Sequence, residues 1–250
     1  MGLAKETTGV GQRFVLAHGF TQNRHCWGPF GDQVAVDHEL VMVDMPGHGN
    51  TDPNHDSADL STSADLLIES GGEAIYVGYS MGGRVALHAA LRHPAAVRGL
   101  VLIGATAGID DAADRRDRRL ADDALADELI EIGLDAFLDR WLAGPLFASL
   151  SDAAACRDAR RSNRVDGLAA SLRRCGTGTQ EPLWDRLGAI TAPVLVLAGA
   201  NDAKFTALGG RLVDAMANAQ LKTIPGNHAV HLEAPTPTAA AVRSFASTLS

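Results

Sequence analysis

The sequence predicts an α/β fold: a mostly parallel, doubly wound sheet interrupted by a helical insertion. Short continuous apolar runs each end in Gly or Asp. They recur roughly every 25–30 residues with helical stretches between them, the rhythm of βα units. Between Gly108 and Gly188 that rhythm stops, and apolar residues return at helical spacing instead.

Taken in order, Phe14-Val15-Leu16-Ala17 runs into His18-Gly19, Leu40-Val41-Met42-Val43 into Asp44, and Ala74-Ile75-Tyr76-Val77 into Gly78. Leu100-Val101-Leu102-Ile103 runs into Gly104, and Val194 to Ala198 into Gly199, with a sixth strand expected near Gln220 to Ile224. Apolar runs without alternation suit strands covered on both faces. In the interrupted region Leu125, Leu129, Ile132, Phe137, Leu138 and Trp141 mark helices. The expected division is a core of residues 1–107 and 189–250, with a helical cap over residues 108–188. A cap leaving and re-entering at the carboxyl ends of strands would cover the crevice where open α/β sheets bind ligands.

The 250 residues are 46% hydrophobic and 21% charged, the composition of a chain with one substantial core. Twenty-two basic against 30 acidic residues leave a net charge of −8, which argues against a nucleic-acid partner. No apolar stretch has the length of a membrane span or of a signal-peptide core, so no membrane partner and a cytoplasmic location are expected. Three cysteines, Cys26, Cys156 and Cys175, have no paired spacing, and neither a disulfide framework nor a metal site is expected. Composition and motifs leave the oligomeric state open, and a monomer is compatible with both.

Gly78-Tyr79-Ser80-Met81-Gly82 follows one predicted strand and opens a helix, the strand–turn–helix context that gives G-x-S-x-G its meaning. Glycines on either side allow the sharp turn and keep side chains away from the serine. The competing reading makes Ser80 a simple helix cap. A serine hydroxyl needs a base, and the base needs an orienting group. Asp202 follows the Val194 strand and His228 follows the last strand, so Ser80, Asp202 and His228 appear in that order at three strand ends. His228 comes first after its strand, ahead of its rival His231. The loop His18-Gly19-Phe20 is expected to lend the Phe20 amide to an oxyanion hole, paired with the amide of Met81. His18 is expected to be structural.

These stretches resemble the α/β-hydrolase superfamily, including Val43-Asp44-Met45-Pro46-Gly47-His48-Gly49. Others resemble one family within it, the 2-succinyl-6-hydroxy-2,4-cyclohexadiene-1-carboxylate synthases (MenH) of menaquinone biosynthesis. They are His18-Gly19-Phe20-Thr21, Gly78 to Ala86, Pro145-Leu146-Phe147-Ala148-Ser149-Leu150, Arg160-Arg161-Ser162-Asn163 and Asp202-Ala203-Lys204-Phe205. The likeness runs from about Phe14 to Pro235. It implies a lyase that expels pyruvate from a cyclohexene tricarboxylate without metal or organic cofactor, with Ser80 as a base rather than an acyl acceptor. It also implies that Arg84, Arg118 and Arg161 hold substrate carboxylates, and that Tyr79, Trp141 and Phe147 line the pocket. The family commonly has Gly before the catalytic histidine, where this chain has Asn227. Asn tolerates left-handed backbone angles, so the turn is expected to survive. The hairpin that often opens the fold must be short or missing.

Two residue patterns bear independently on an anionic substrate. Arg84 lies one helical turn beyond Ser80 on the same face, where a planar fork of donors suits a carboxylate. Cys156 to Cys175 holds six Arg and two Asp, an excess of +4 that would attract a polyanion if it overlies the crevice. Against this, Asp110 to Arg119 holds four Asp and four Arg, so Arg118 also fits a solvated helix face with internal pairs. A serine hydrolase, either a carboxylesterase or a C–C bond hydrolase, would use the same triad with Ser80 acylated. A ligand-binding receptor that kept the triad is a third reading.

Overall fold

A computed structural model describes residues 2–147 and 149–249. Ala148, within one of the family-like stretches, lies outside the described residues. The chain runs β1 (Lys5–Thr8), β2 (Gln12–Ala17), α1 (Gly28–Ala35), β3 (His38–Val43), α2 (Leu60–Gly71), β4 (Ala74–Tyr79), α3 (Met81–Arg92) and β5 (Val97–Ile103). Four helices follow: α4 (Ala112–Ile132), α5 (Leu134–Leu142), α6 (Arg157–Arg161) and α7 (Val165–Cys175). The chain then returns to the sheet through β6 (Val194–Gly199), α8 (Ala203–Asp214), β7 (Ala219–Ile224), α9 (Val230–Glu233) and α10 (Pro235–Ala246).

The strands form one sheet in the order β1-β3-β2-β4-β5-β6-β7, parallel except for β1. Consecutive strand residues face opposite layers. Val15 and Ala17, Tyr76, Leu100 and Leu102, and Val194 and Val196 pack with α2 and α3. Phe14 and Leu16, Ile75 and Val77, Val101 and Ile103, and Leu195 and Leu197 pack with α1 and α10. Both faces are dry, which is why these strands read as unbroken apolar runs rather than alternating ones.

Instead of an opening hairpin the fold has the four-residue β1, which pairs antiparallel with β3 rather than with its neighbour in sequence, β2. All four of its side chains are exposed, so no apolar pattern marks it in the sequence. Between β5 and β6 the described residues form helices and no strand. Leu183, Trp184 and Leu187, near the end of that segment, pack into the same apolar cluster as α2 and α3. Ala126, Leu129, Phe137, Leu168 and Leu172 form a separate cluster joining α4, α5 and α7.

From β2 the chain steps outward to β3, then crosses back to β4 on the other side of β2. The winding reverses there, so the loops after β2 and β4 diverge around a crevice at their carboxyl ends. At the end of β6 the chain passes the β7 loop so closely that a Cβ on Gly199 would stand 1.9 Å from the Asn227 carbonyl oxygen. Gly199→Ala is therefore expected to cost about 1–3 kcal/mol by overpacking and to lower Tm by several degrees in thermal denaturation. An unchanged Tm would contradict this contact.

Candidate active site

Ser80 occupies the single-residue turn between β4 and α3 with φ 50° and ψ −107°. A non-glycine residue held at positive φ carries strain that its surroundings must impose. They do so by contact: a Cβ on Gly82 would lie 2.0 Å from the Ala17 carbonyl oxygen, and one on Gly78 would lie 2.5 Å from the Gly82 carbonyl oxygen. The Gly82 amide donates to the His18 carbonyl (3.1 Å), drawing the β2 loop against the start of α3. The Ser80 side chain makes no capping hydrogen bond, which removes the helix-cap reading. The Phe20 and Met81 amides donate to no acceptor among the described residues, and both residues border the cleft that Ser80 lines.

His18 is buried beneath this loop. Its Nε2 accepts from the Met45 amide (3.0 Å), which leaves Nδ1 to donate to the Gly19 carbonyl (2.8 Å). Burial pushes its pKa down to about 4, so the ring is a neutral brace.

Asp202 and His228 stand at the ends of β6 and β7, with His228 Nδ1 3.3 Å from Asp202 Oδ2. The other carboxylate oxygen accepts from the Phe205 amide (3.1 Å). Burial pushes the Asp202 pKa up, but the His228 bond, the Phe205 amide and the charges of His228 and Lys204 outweigh it, leaving the carboxyl below its usual range. With Nδ1 turned to the carboxylate, Nε2 is the ring nitrogen left for a serine. Ser80 and His228 line one cleft, with no hydrogen bond between them among the described residues. Among the described residues His231 has no carboxylate partner; both its nitrogens are unpartnered there, and its ring packs against Tyr79, Trp27 and Phe30.

Asn227 is not left-handed; Gly226 takes the positive φ, +127°. The Asn227 side chain instead donates to Ser149 Oγ (2.7 Å), and its amide donates to Glu233 Oε2 (2.8 Å). Glu233 Oε1 accepts from the Ala229 amide (3.1 Å), so one carboxylate grips both neighbours of His228. No motif in the sequence marks Glu233. A carboxylate five residues past the histidine is the one available signal, and it says nothing until the loop folds back on α9.

The cleft, about 130 Å³, lies between the strand ends and α4, α5 and α7. Tyr79, Phe147 and Trp141 line it, and Phe20 meets Trp141 edge-on at 5.3 Å. Arg84 lines it too, buried, with Nη2 donating to the Cys175 carbonyl (2.7 Å) and Nη1 to the Gly176 carbonyl (3.3 Å). No carboxylate pairs with it among the described residues, and burial lowers its pKa to about 10. Arg118 borders the cleft but is tied by Nε to Asp122 Oδ1 (2.8 Å). Lys204 adds a third cation to the lining.

Arg161 is not brought to the cleft. Its half-exposed side chain pairs with Asp135 (2.8 Å) and Asp158 (3.6 Å) on the outer surface. The local arginine excess does not overlie the crevice either. Arg157, Arg164 and Arg173 pair with Asp139, Asp56 and Asp127, acids from elsewhere in the chain, and Arg164 also pairs with Asp166 within the segment. Arg160, which the sequence reading gave no role, is instead fully buried. Among the described residues no cluster of three His, Cys, Asp or Glu side chains could hold a metal ion, and no helix is long and apolar enough to cross a membrane.

A serine on a strained strand–helix turn, with a carboxylate-braced histidine at the last strand, defines an enzyme class. The chain belongs to the alpha/beta hydrolase family, whose model matches residues 14–241. Within that family it is 32% identical over 239 residues to the 2-succinyl-6-hydroxy-2,4-cyclohexadiene-1-carboxylate synthase of Serratia proteamaculans, covering 92% of this chain and 91% of the relative. A Bacillus subtilis protein that carries the same activity as a provisional name is 34% identical over 246 residues, 93% and 89% of the two chains. The structure of MenH from S. aureus superposes with a TM-score of 0.86 at 28% identity, covering 98% of each chain.

His18, His48 and His231 are buried, and desolvation lowers their pKa values to about 4, 3 and 3. Above pH 6.5 folded and unfolded chains both hold these rings neutral, and they add no pH dependence. Below it the unfolded chain binds protons that the folded chain does not. Stability is therefore expected to fall as pH drops from about 6.5 toward 4, by at most about 1.4 kcal/mol per pH unit for each ring. Urea midpoints at pH 7 and pH 5 measure the loss, and His231→Phe should make the slope shallower. An equally steep slope in that variant would clear His231 of any part in it.

Proposed function

We propose that this chain is a lyase that eliminates pyruvate from 2-succinyl-5-enolpyruvyl-6-hydroxy-3-cyclohexene-1-carboxylate, yielding 2-succinyl-6-hydroxy-2,4-cyclohexadiene-1-carboxylate. The observation that carries the reading is Arg84: a desolvated guanidinium with no carboxylate partner among the described residues, in the same cleft as Ser80 and His228. Neutral esters leave such a group uncompensated, whereas a substrate carboxylate completes it. Arg118 and Lys204 add positive potential for a polyanion.

In this mechanism His228 Nε2 takes the Ser80 proton, and Ser80 Oγ removes a proton from the substrate ring. Asp202 holds the imidazole tautomer and stabilises its charge. Negative charge moving onto the enolate-like oxygen meets the Phe20 and Met81 amides. The ring electrons then expel the enolpyruvyl oxygen, which leaves as pyruvate once protonated. Tyr79, Trp141 and Phe147 enclose the ring, and the helical segment over residues 108–188 acts as the cap that excludes water. The chain needs no metal or organic cofactor for these steps, and its expected setting is the cytoplasm.

Pyruvate release from the purified substrate, coupled to lactate dehydrogenase, tests the reading directly. Fast turnover of p-nitrophenyl esters through an acyl-Ser80, with no pyruvate formed, would support a serine hydrolase instead. Ser80→Ala is expected to lower kcat by about 10²–10⁴-fold, the scale of lost general-base catalysis. Arg84→Ala should lose a charge-assisted contact of about 1.5–3 kcal/mol, a roughly 10- to 150-fold fall in kcat/KM for the anionic substrate only. An equal fall for a neutral ester would refute the anion-binding role. Arg161→Ala, which breaks only exposed pairs, should leave kcat/KM within about twofold.

A further inference from the structure

Thr21 follows Phe20 and is held at φ +65°, a region that β-branched residues rarely enter. It is the third residue of a turn closed by the Gln22 amide on the Gly19 carbonyl (3.1 Å), and the Gly19 amide in turn donates to Gln22 Oε1 (3.1 Å). Turns with positive φ at that place ordinarily put glycine there. Thr21 is therefore in a conformation its own chemistry disfavours, next to a cleft-lining residue whose amide has no acceptor among the described residues.

Two buried side chains from α6 and the turn after it hold Thr21. Asn163 Nδ2 donates to the Thr21 carbonyl (2.7 Å) and also to the Arg160 carbonyl (2.9 Å), while its Oδ1 accepts from the Gly49 amide (2.7 Å). Arg160 donates through Nη1 to Thr21 Oγ1 and through Nε to the Ala155 carbonyl (2.8 Å). Arg160 is fully buried without an ion-pair partner among the described residues, a placement that ion pairing does not explain. Asn23 Nδ2 makes a second tie nearby, to the Ala159 carbonyl (2.6 Å) and Ser162 Oγ (2.9 Å).

We infer that Arg160 and Asn163 are positioning residues for the oxyanion hole, gripping Thr21 so that the β2 loop presents the Phe20 amide to the reacting oxygen. Without the grip Thr21 relaxes to negative φ, the Phe20–Thr21 peptide flips, and the loop carrying the donor reorganises. The inference rests on the reading of Phe20 and Met81 as oxyanion donors.

The test uses two reactions of the intact protein. One is pyruvate release. The other is stoichiometric attack of Ser80 Oγ on a p-nitrophenyl alkylphosphonate, which forms a Ser80 O–P bond, releases p-nitrophenolate and passes the serine proton to His228. Asn163→Ala is expected to lower kcat and the phosphonylation rate by about 10–100-fold, less than outright deletion of a donor, with KM within about threefold. Adding Thr21→Gly, which takes positive φ freely, should restore most of that loss, a rescue that a merely structural tie would not show. Arg160→Lys, which keeps the charge and one donor, should give a smaller loss with the same rescue and serves if Asn163→Ala folds poorly.

Rates that are unchanged, that fall only with the folded fraction, or that Thr21→Gly does not restore would overturn the inference. Phosphonylation that follows the expected pattern in a protein that forms no pyruvate would sink the lyase reading and leave this one standing.

Discussion

The start of α3 presses against the end of β2 so closely that residue 82 has no room for a side chain, and the rest of the site depends on that approach. It forces the chain to turn within one residue, puts Ser80 at positive φ, and brings the Met81 amide beside the β2 loop. The strain is local, and the energy that sustains it comes from elsewhere. Ten of the twelve α3 residues are buried against a sheet that is dry on both faces. A helix anchored over its whole length can hold its first turn in a conformation that an exposed turn would abandon.

Electrostatics then separates this cleft from a general ester-binding site. Arginines are abundant in α4, α6 and α7, but Arg157, Arg161 and Arg173 are absorbed by aspartates on neighbouring helices and carry little field into the crevice. Arg84 differs because its partners are two backbone carbonyls, which orient the guanidinium without cancelling its charge. Burial deprives it of water as well, so an incoming carboxylate meets a donor with no competing counter-ion.

The histidine loop is held with comparable care. A Cβ on Gly104, at the end of β5, would fall 2.8 Å from His228 Cε1, so the ring lies directly on that backbone. Phe205 packs on the ring at 4.3 Å, and Glu233 binds the amides on both sides of it. The imidazole thus has little freedom to turn away from Asp202, and its Nε2 stays on the side of the cleft.

The strands, the elbow and the order of Ser80, Asp202 and His228 were legible in the sequence because each rests on local chemistry. Apolar runs report burial on both faces, glycines report a turn that no Cβ can enter, and each candidate group follows its own strand. Strand β1 was not legible, since four exposed residues leave no pattern. Which arginines act, whether His228 or His231 meets the carboxylate, and that Gly226 rather than Asn227 takes the turn were decided only in the folded chain. So were the grips of Glu233 on the histidine loop and of Arg160 and Asn163 on Thr21. The physical reason is common to all of them: a charge is free or cancelled, and a loop held or slack, according to partners that lie up to 142 residues away in sequence. Spacing along a chain carries no record of such distant neighbours.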